Sequence, residues 1–88
     1  MESFNVILKP SAERELRKLP RKLVPRAVQL MDGRKSDPFG PPARKLSGHE
    51  RMYRLRVGDY RIVYEVDIEA RQVTVQYIRH RRDVYRNL

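Results

Sequence analysis

Two alternating segments joined by a glycine-led pair constrain this chain more than anything else in it. Tyr53, Leu55 and Val57 alternate with Met52, Arg54 and Arg56; beyond Gly58-Asp59, Tyr60, Ile62, Tyr64 and Val66 alternate with Arg61, Val63, Glu65 and Asp67. A period of two is that of a strand with one buried face. A two-residue loop with glycine first is the signal of a type II′ hairpin. A turn of that length fixes the register. It sets Val57 opposite Tyr60, Arg56 opposite Arg61, Leu55 opposite Ile62 and Arg54 opposite Val63. One face of the hairpin is then apolar (Tyr53, Leu55, Val57, Tyr60, Ile62, Tyr64), and the other gathers Arg54, Arg56 and Arg61.

The rest of the chain supplies what such a hairpin packs against. Phe4, Val6 and Leu8 alternate with Asn5, Ile7 and Lys9, which predicts a first strand. Pro10-Ser11 stops it and opens a helix, with Ser11 as N-cap and Glu13 and Glu15 in the early turns where the helix dipole favours them. Ala12, Leu16 and Leu19 recur at helical spacing, and Pro20 ends the segment. A second helix tolerates Pro25 in its first turn and buries Leu23, Ala27, Leu30 and Met31. The outer faces of this helical hairpin carry Arg14, Arg17, Lys18, Arg21, Lys22 and Arg26, as a solvated surface or a nucleic-acid contact. From Gly33 to Gly48, with Asp37, Pro38, Gly40, Pro41 and Pro42, the reading is a loop without regular structure. In the last strand Val73, Val75 and Tyr77 alternate with Thr74 and Gln76, and a basic end from Arg79 to Leu88 is expected to lie against the sheet. The expectation is an α+β fold in one small domain over residues 1–88. An N-terminal strand and a helical hairpin are followed by a three-stranded antiparallel meander, all in one twisted sheet.

Composition narrows the partners. Twenty Lys and Arg stand against 11 Asp and Glu, a formal net charge of +9 on 88 residues, which points to a polyanion. Fifteen of the twenty cations are arginine, whose planar fork meets a phosphate through two hydrogen bonds. A GC-rich genome would also write Arg for Lys, but it does not account for the excess of positive charge. No apolar run approaches the roughly 18 residues of a membrane span, and Met1 to Lys9 is too short and mixed for a signal peptide. Cys is absent, which excludes disulfide staples, thiol catalysis and cysteine-ligated zinc. His49 and His80 alone cannot build an all-histidine metal site. The expectation is a cytoplasmic protein without metal, cofactor or membrane partner.

The hairpin's arginine face needs a reason. Like charges directly opposite on a sheet cost a few tenths to about 1 kcal/mol. The three guanidiniums either splay into solvent, pair with carboxylates such as Glu50 or Glu65, or await a ligand that brings the counter-charge. The last reading is preferred here, because converging guanidiniums suit a phosphodiester that gains charge in its transition state.

Three stretches together resemble a known family. They are Lys45-Leu46-Ser47-Gly48, the run from Tyr53 to Tyr64, and His80-Arg81-Arg82-Asp83-Val84-Tyr85; Pro10-Ser11-Ala12 and Leu19-Pro20 also sit where that family has them. The chain is similar over nearly its whole length to the RelE/ParE superfamily of toxins from type II toxin–antitoxin systems, and to its RelE-like branch. The resemblance implies a compact sheet with a helical hairpin packed on it. In the RelE branch it implies a toxin that enters the ribosomal A site and cuts mRNA there. In the ParE branch it implies a DNA gyrase inhibitor without nuclease residues. A partner antitoxin with an acidic binding segment is implied, with a heterotetramer as one form of that complex.

Carried over from the RelE branch, Arg54 and Arg56 take the place of two lysines, Arg61 matches a strand arginine, Arg81 the later arginine and Tyr85 a tyrosine. Arg61, Arg81 and Tyr85 are the expected catalytic set. Arg54, Arg56, Lys45 and Arg82 are the expected phosphate contacts, and His80 a candidate acid. Arginine does not give up its proton, so no base role can pass to Arg54 or Arg56. RNA cleavage without metal needs a base for the 2′-OH, charge stabilisation at phosphorus and an acid for the 5′-oxygen. Among neighbouring cations Tyr85 can serve as the base, because they stabilise phenolate. A generic RNA-binding module fits less well, because few aromatic side chains are left to stack on bases.

Overall fold

The computed structural model describes residues 3–86, with side chains through Asp83. In chain order it holds β1 (Asn5–Leu8), α1 (Pro10–Lys18), α2 (Val24–Asp32), β2 (Arg44–Lys45), β3 (Met52–Val57), β4 (Tyr60–Asp67), β5 (Gln72–His80) and α3 (Arg81–Arg86), with 3₁₀ turns at Arg21–Leu23 and Gly33–Lys35. The strands form one five-stranded sheet in the order β1-β5-β4-β3-β2. Only β1, which runs beside β5, is parallel to its neighbour.

The expected meander is present as β3, β4 and β5, and its hairpin register is the one the turn dictates, from Met52 opposite Glu65 to Val57 opposite Tyr60. Gly58 takes φ +56°, and Asp59 does not share the positive angle, as a type II′ turn requires. The apolar face of the sheet is closed by the helical hairpin. Leu55, Val57, Ile62, Tyr64, Val66, Val73, Val75 and Ile78 pack with Ala12 and Leu19 from the α1 side and with Ala27, Leu30 and Met31 of α2. Each fully buried aliphatic side chain there contributes roughly 1.5–3 kcal/mol.

Four local readings are corrected. Ser11 is not the N-cap of α1: Lys9 holds that position without a side-chain hydrogen bond, and Pro10 opens the helix because a first-turn N–H has no partner to lose. Glu15 does not merely serve the dipole; it reaches across to β5. The stretch from Gly33 to Gly48 is not irregular throughout, since it contains the 3₁₀ turn and the short strand β2. It is also tied down. Buried Arg34 donates from Nε to the Leu30 carbonyl (3.2 Å) and from Nη1 to the Gly40 carbonyl (2.8 Å). Tyr64 Oη donates to the Pro38 carbonyl at 2.6 Å, and Phe39 packs edge-on against Tyr53. Asp37 Oδ1 accepts from the N–H groups of Phe39 and Gly40, and a Cβ at Gly40 would run into that carboxylate.

The fourth correction concerns β5. Val63 is opposite Tyr77 and Tyr64 opposite Val75, so the ladder slips by one residue and Gln76 is the extra one. Such a bulge reverses which side chains face which way beyond it. Val73 and Val75 enter the core as expected. Past the bulge Ile78 enters it too, and Tyr77 and Arg79 turn to the opposite face.

Candidate nucleic-acid interface

The face of the sheet away from α1 and α2 carries a row of like charge across three strands. Arg56 of β3 is opposite Arg61 of β4, and Arg61 is opposite Arg79 of β5. One step along, Arg44 of β2 is opposite Arg54 of β3, which is opposite Val63 of β4. Two separate causes build this. The glycine-led turn sets the β3–β4 register, and the bulge at Gln76 brings Arg79 onto the same face. Val63 and Tyr77 lie side by side here, Val63 fully buried, and α3 packs across β4 and β5.

Arg54, Arg56 and Arg61 line one depression of about 740 Å³ together with Arg26, Arg44 and the Pro41–Ala43 segment. Among the described residues its lining holds five arginines and no carboxylate. Arg61 is its most buried cation, 6% exposed, with Nη1 donating to its neighbour's carbonyl, Tyr60 O, at 3.2 Å. A guanidinium held at low solvent exposure acts on a bound anion more strongly than one in water. Arg56 is exposed and Arg54 half-buried.

The other sequence-predicted residues fall around this depression. Lys45 is opposite Tyr53, so it leaves the sheet on the face away from the arginines, and it is exposed. Arg81 and Arg82 are exposed in the first turn of α3, and the Arg81 N–H donates to the Asp59 carbonyl at 2.7 Å, which pins α3 to the hairpin turn. His80 is opposite Tyr60 and meets its ring edge-on at 5.4 Å, on the other face from Arg61. Its Nδ1 accepts from the Arg82 N–H at 3.3 Å. The side chain of Tyr85 lies outside the described residues.

Arg44 and Arg79 join the cationic face, and Arg26 of α2 reaches its depression, without the sequence singling them out. Arg26 read as one of many helix-surface charges. Arg44 sits on a two-residue strand inside a proline-rich loop, too short to show periodicity. Arg79 was hidden by the bulge. Its Nε donates to Glu15 Oε2 at 3.0 Å, and its guanidinium carbon lies 4.5 Å from the centre of the Tyr77 ring. Burial pushes the Tyr77 phenol above 10.0, a shift Arg79 only partly offsets, so Tyr77 stays protonated and is no base at neutral pH. Among the described residues no group of three His, Cys, Asp or Glu side chains is placed to hold a metal ion.

A family model described as the ParE toxin of type II toxin–antitoxin systems, parDE, matches residues 6–85. Toxin RelG of Mycobacterium tuberculosis is 33% identical over 87 residues, covering 94% of this chain and 97% of its own length. The fold is that of a chain in the archaeal RelE–RelB complex from Pyrococcus horikoshii OT3, with a TM-score of 0.77 at 24% identity over 89% of this chain and 94% of that one. It is also that of the isolated E. coli RelE toxin, with a TM-score of 0.78 at 22% identity over 97% and 99% of the two chains.

Proposed function

We propose that this chain, which belongs to the ParE toxin family of type II toxin–antitoxin systems and is RelE-like, is a ribosome-dependent mRNA endonuclease that needs neither metal nor cofactor. One observation carries the reading: a depression lined by five arginines, with buried Arg61 among them and no carboxylate among the described residues. A surface whose only task was to stay soluble would not gather its cations this way at a cost of up to about 1 kcal/mol per facing pair.

In this reading Arg54, Arg56 and Arg61 hold the scissile phosphate and stabilise the charge that develops on it as the 2′-OH attacks phosphorus. The P–O5′ bond breaks, leaving a 2′,3′-cyclic phosphate and a 5′-hydroxyl. Tyr85 takes the proton from the 2′-OH. Arg79, which shares the face of Arg61, is a stronger candidate than Arg81 for the later arginine, while Arg81 and Arg82 flank the site as backbone contacts; Lys45, opposite Tyr53 on the other face, is not one of them. His80 lies on the other face and would reach the 5′-oxygen only from the end of the sheet, so the acid is His80 or a group of the ribosome. A cognate antitoxin would neutralise the cationic face with an acidic segment, in a complex that includes the heterotetramer among its forms; the Pyrococcus relative was solved with RelB. The site of action is the cytoplasm. No described helix is long and apolar enough to cross a membrane.

The match to the ParE toxin model supports a second reading, inhibition of DNA gyrase without cleavage of RNA. Primer extension on a reporter mRNA after induction separates the two. Cuts in frame within translated codons support the endonuclease. Intact mRNA with trapped gyrase–DNA complexes overturns it.

A further inference from the structure

The outer edge of β5 is only half covered. β1 pairs with Gln72 to Val75, and beyond Val75, as far as His80, no described strand pairs with that outer edge. A carboxylate stands where a strand would continue. Glu15, projecting from α1, accepts the Ile78 N–H on Oε1 at 3.0 Å and the Arg79 Nε–H on Oε2 at 3.0 Å. The first bond fixes the carboxylate to the backbone of the strand. The second ties a side chain of the arginine face to that fixed point. Glu15 is thus a carboxylate partner of this face, and it is placed at the edge of the sheet rather than in the depression.

We propose that Glu15 is a positioning residue for the cleavage reaction, acting through Arg79; this rests on the endonuclease reading. The geometry divides the arginine fork in two. Nε is occupied by Glu15, while the Nη1–Nη2 edge, which can pair with two oxygens of a phosphate, is not consumed by that bond. Stacking on Tyr77 restrains the plane of the same guanidinium. A long side chain with many rotamers is thereby held in one pose before RNA arrives, so less freedom is lost on binding. Glu15 also neutralises part of the Arg56–Arg61–Arg79 row, which lets three cations share one line across the sheet.

Glu15→Gln tests this in the full-length protein, assayed on programmed ribosomes. Glutamine can still accept the Ile78 N–H through its Oε1, so the strand edge stays capped. Its amide nitrogen then faces the Arg79 Nε–H, donor against donor, and the arginine is released. The expected result is a fall in kcat of about 10- to 100-fold, the cost of a misplaced group, with KM for the ribosome unchanged. In an Arg79→Ala background Glu15→Gln should add no further loss. Arg79→Lys keeps Glu15 and the charge but cannot offer one nitrogen to the carboxylate and a separate pair to a phosphate, so it should lose kcat as Arg79→Ala does, whether or not Glu15→Gln folds. Wild-type kcat in either Glu15→Gln or Arg79→Lys, or fully additive losses in the double variant, would overturn the positioning role while leaving the endonuclease reading intact. A wild-type protein that cuts no mRNA on ribosomes would overturn both.

Discussion

The two faces of the central sheet are made from the same strands, residue against alternate residue, and they solve different problems. On the helix side, Leu55, Ile62, Tyr64, Val73 and Val75 are at most 1% exposed and packed by two helices. On the other side, Arg56, Arg61 and Arg79 share one row; among the described residues Arg61 donates to a backbone carbonyl, and Arg79 pairs with Glu15 and stacks on Tyr77. The first face stabilises the fold through the area it removes from water. The second gathers like charges at a cost in stability, and the proposed function gives that cost a reason in the phosphate it would bind. If that division is right, substitutions on the two faces should separate: activity without stability on one, stability first on the other.

The largest effect is expected from Tyr85. Tyr85→Phe keeps the ring and removes the hydroxyl, so cleavage on ribosomes should fall by roughly 10²–10⁴-fold, the contribution of a general base. Ribosome binding, measured by co-sedimentation, should stay near wild type because the arginines are untouched. Full activity in this variant would move the base to His80 or the ribosome and leave the phosphate site standing.

Arg61→Ala sharpens the comparison most directly. It should lower cleavage by about 10²–10³-fold, as removal of one charge-stabilising donor does. The melting temperature should hold level or rise, because the repulsion from Arg56 and Arg79 is relieved, while among the described residues the hydrogen bond given up is to the neighbouring Tyr60 carbonyl. A large drop in melting temperature would make Arg61 part of the scaffold and break the division between the faces. On the helix side, Leu55→Ala should cost about 2–5 kcal/mol in chemical denaturation, with cleavage per folded molecule little changed.

How far these faces could be read from the sequence depended on how local their causes are. The β3–β4 register was legible because a two-residue turn at Gly58-Asp59 leaves only one way to pair the strands, and that alone placed Arg54, Arg56 and Arg61 together. The β4–β5 pairing was not, because a bulge inserts one residue without any glycine or proline to mark it. Gln76 looks like an ordinary alternating position, which groups Tyr77 with Val73 and Val75 and gives no reason to prefer Arg79 to Arg81. Arg44 escaped for a different reason. A strand of two residues has no period, and its place beside Arg54 is set by Arg34, Tyr64 and Phe39 holding the loop from a distance in sequence.

The smallest effect tests that loop, which borders the arginine depression through Pro41–Ala43. Burial pushes the Tyr64 phenol above its ordinary 10.0, against a lesser lowering by Arg34. Below pH 10 the phenol is neutral both folded and unfolded, so its contribution to stability is complete. As pH climbs past 10 the unfolded chain ionises first, and stability is lost until the folded phenol also titrates. Denaturation midpoints should therefore fall in the alkaline range more steeply for wild type than for Tyr64→Phe. At neutral pH Tyr64→Phe should be the less stable by about 0.5–1.5 kcal/mol, since the hydrogen bond to the Pro38 carbonyl at 2.6 Å is gone. Cleavage should fall only modestly, because the core ring remains and the loop loses one of several ties. Equal alkaline slopes for the two proteins would mean that the phenol is not held away from water, and that the loop beside the arginines is fixed by Arg34 and Phe39 without it.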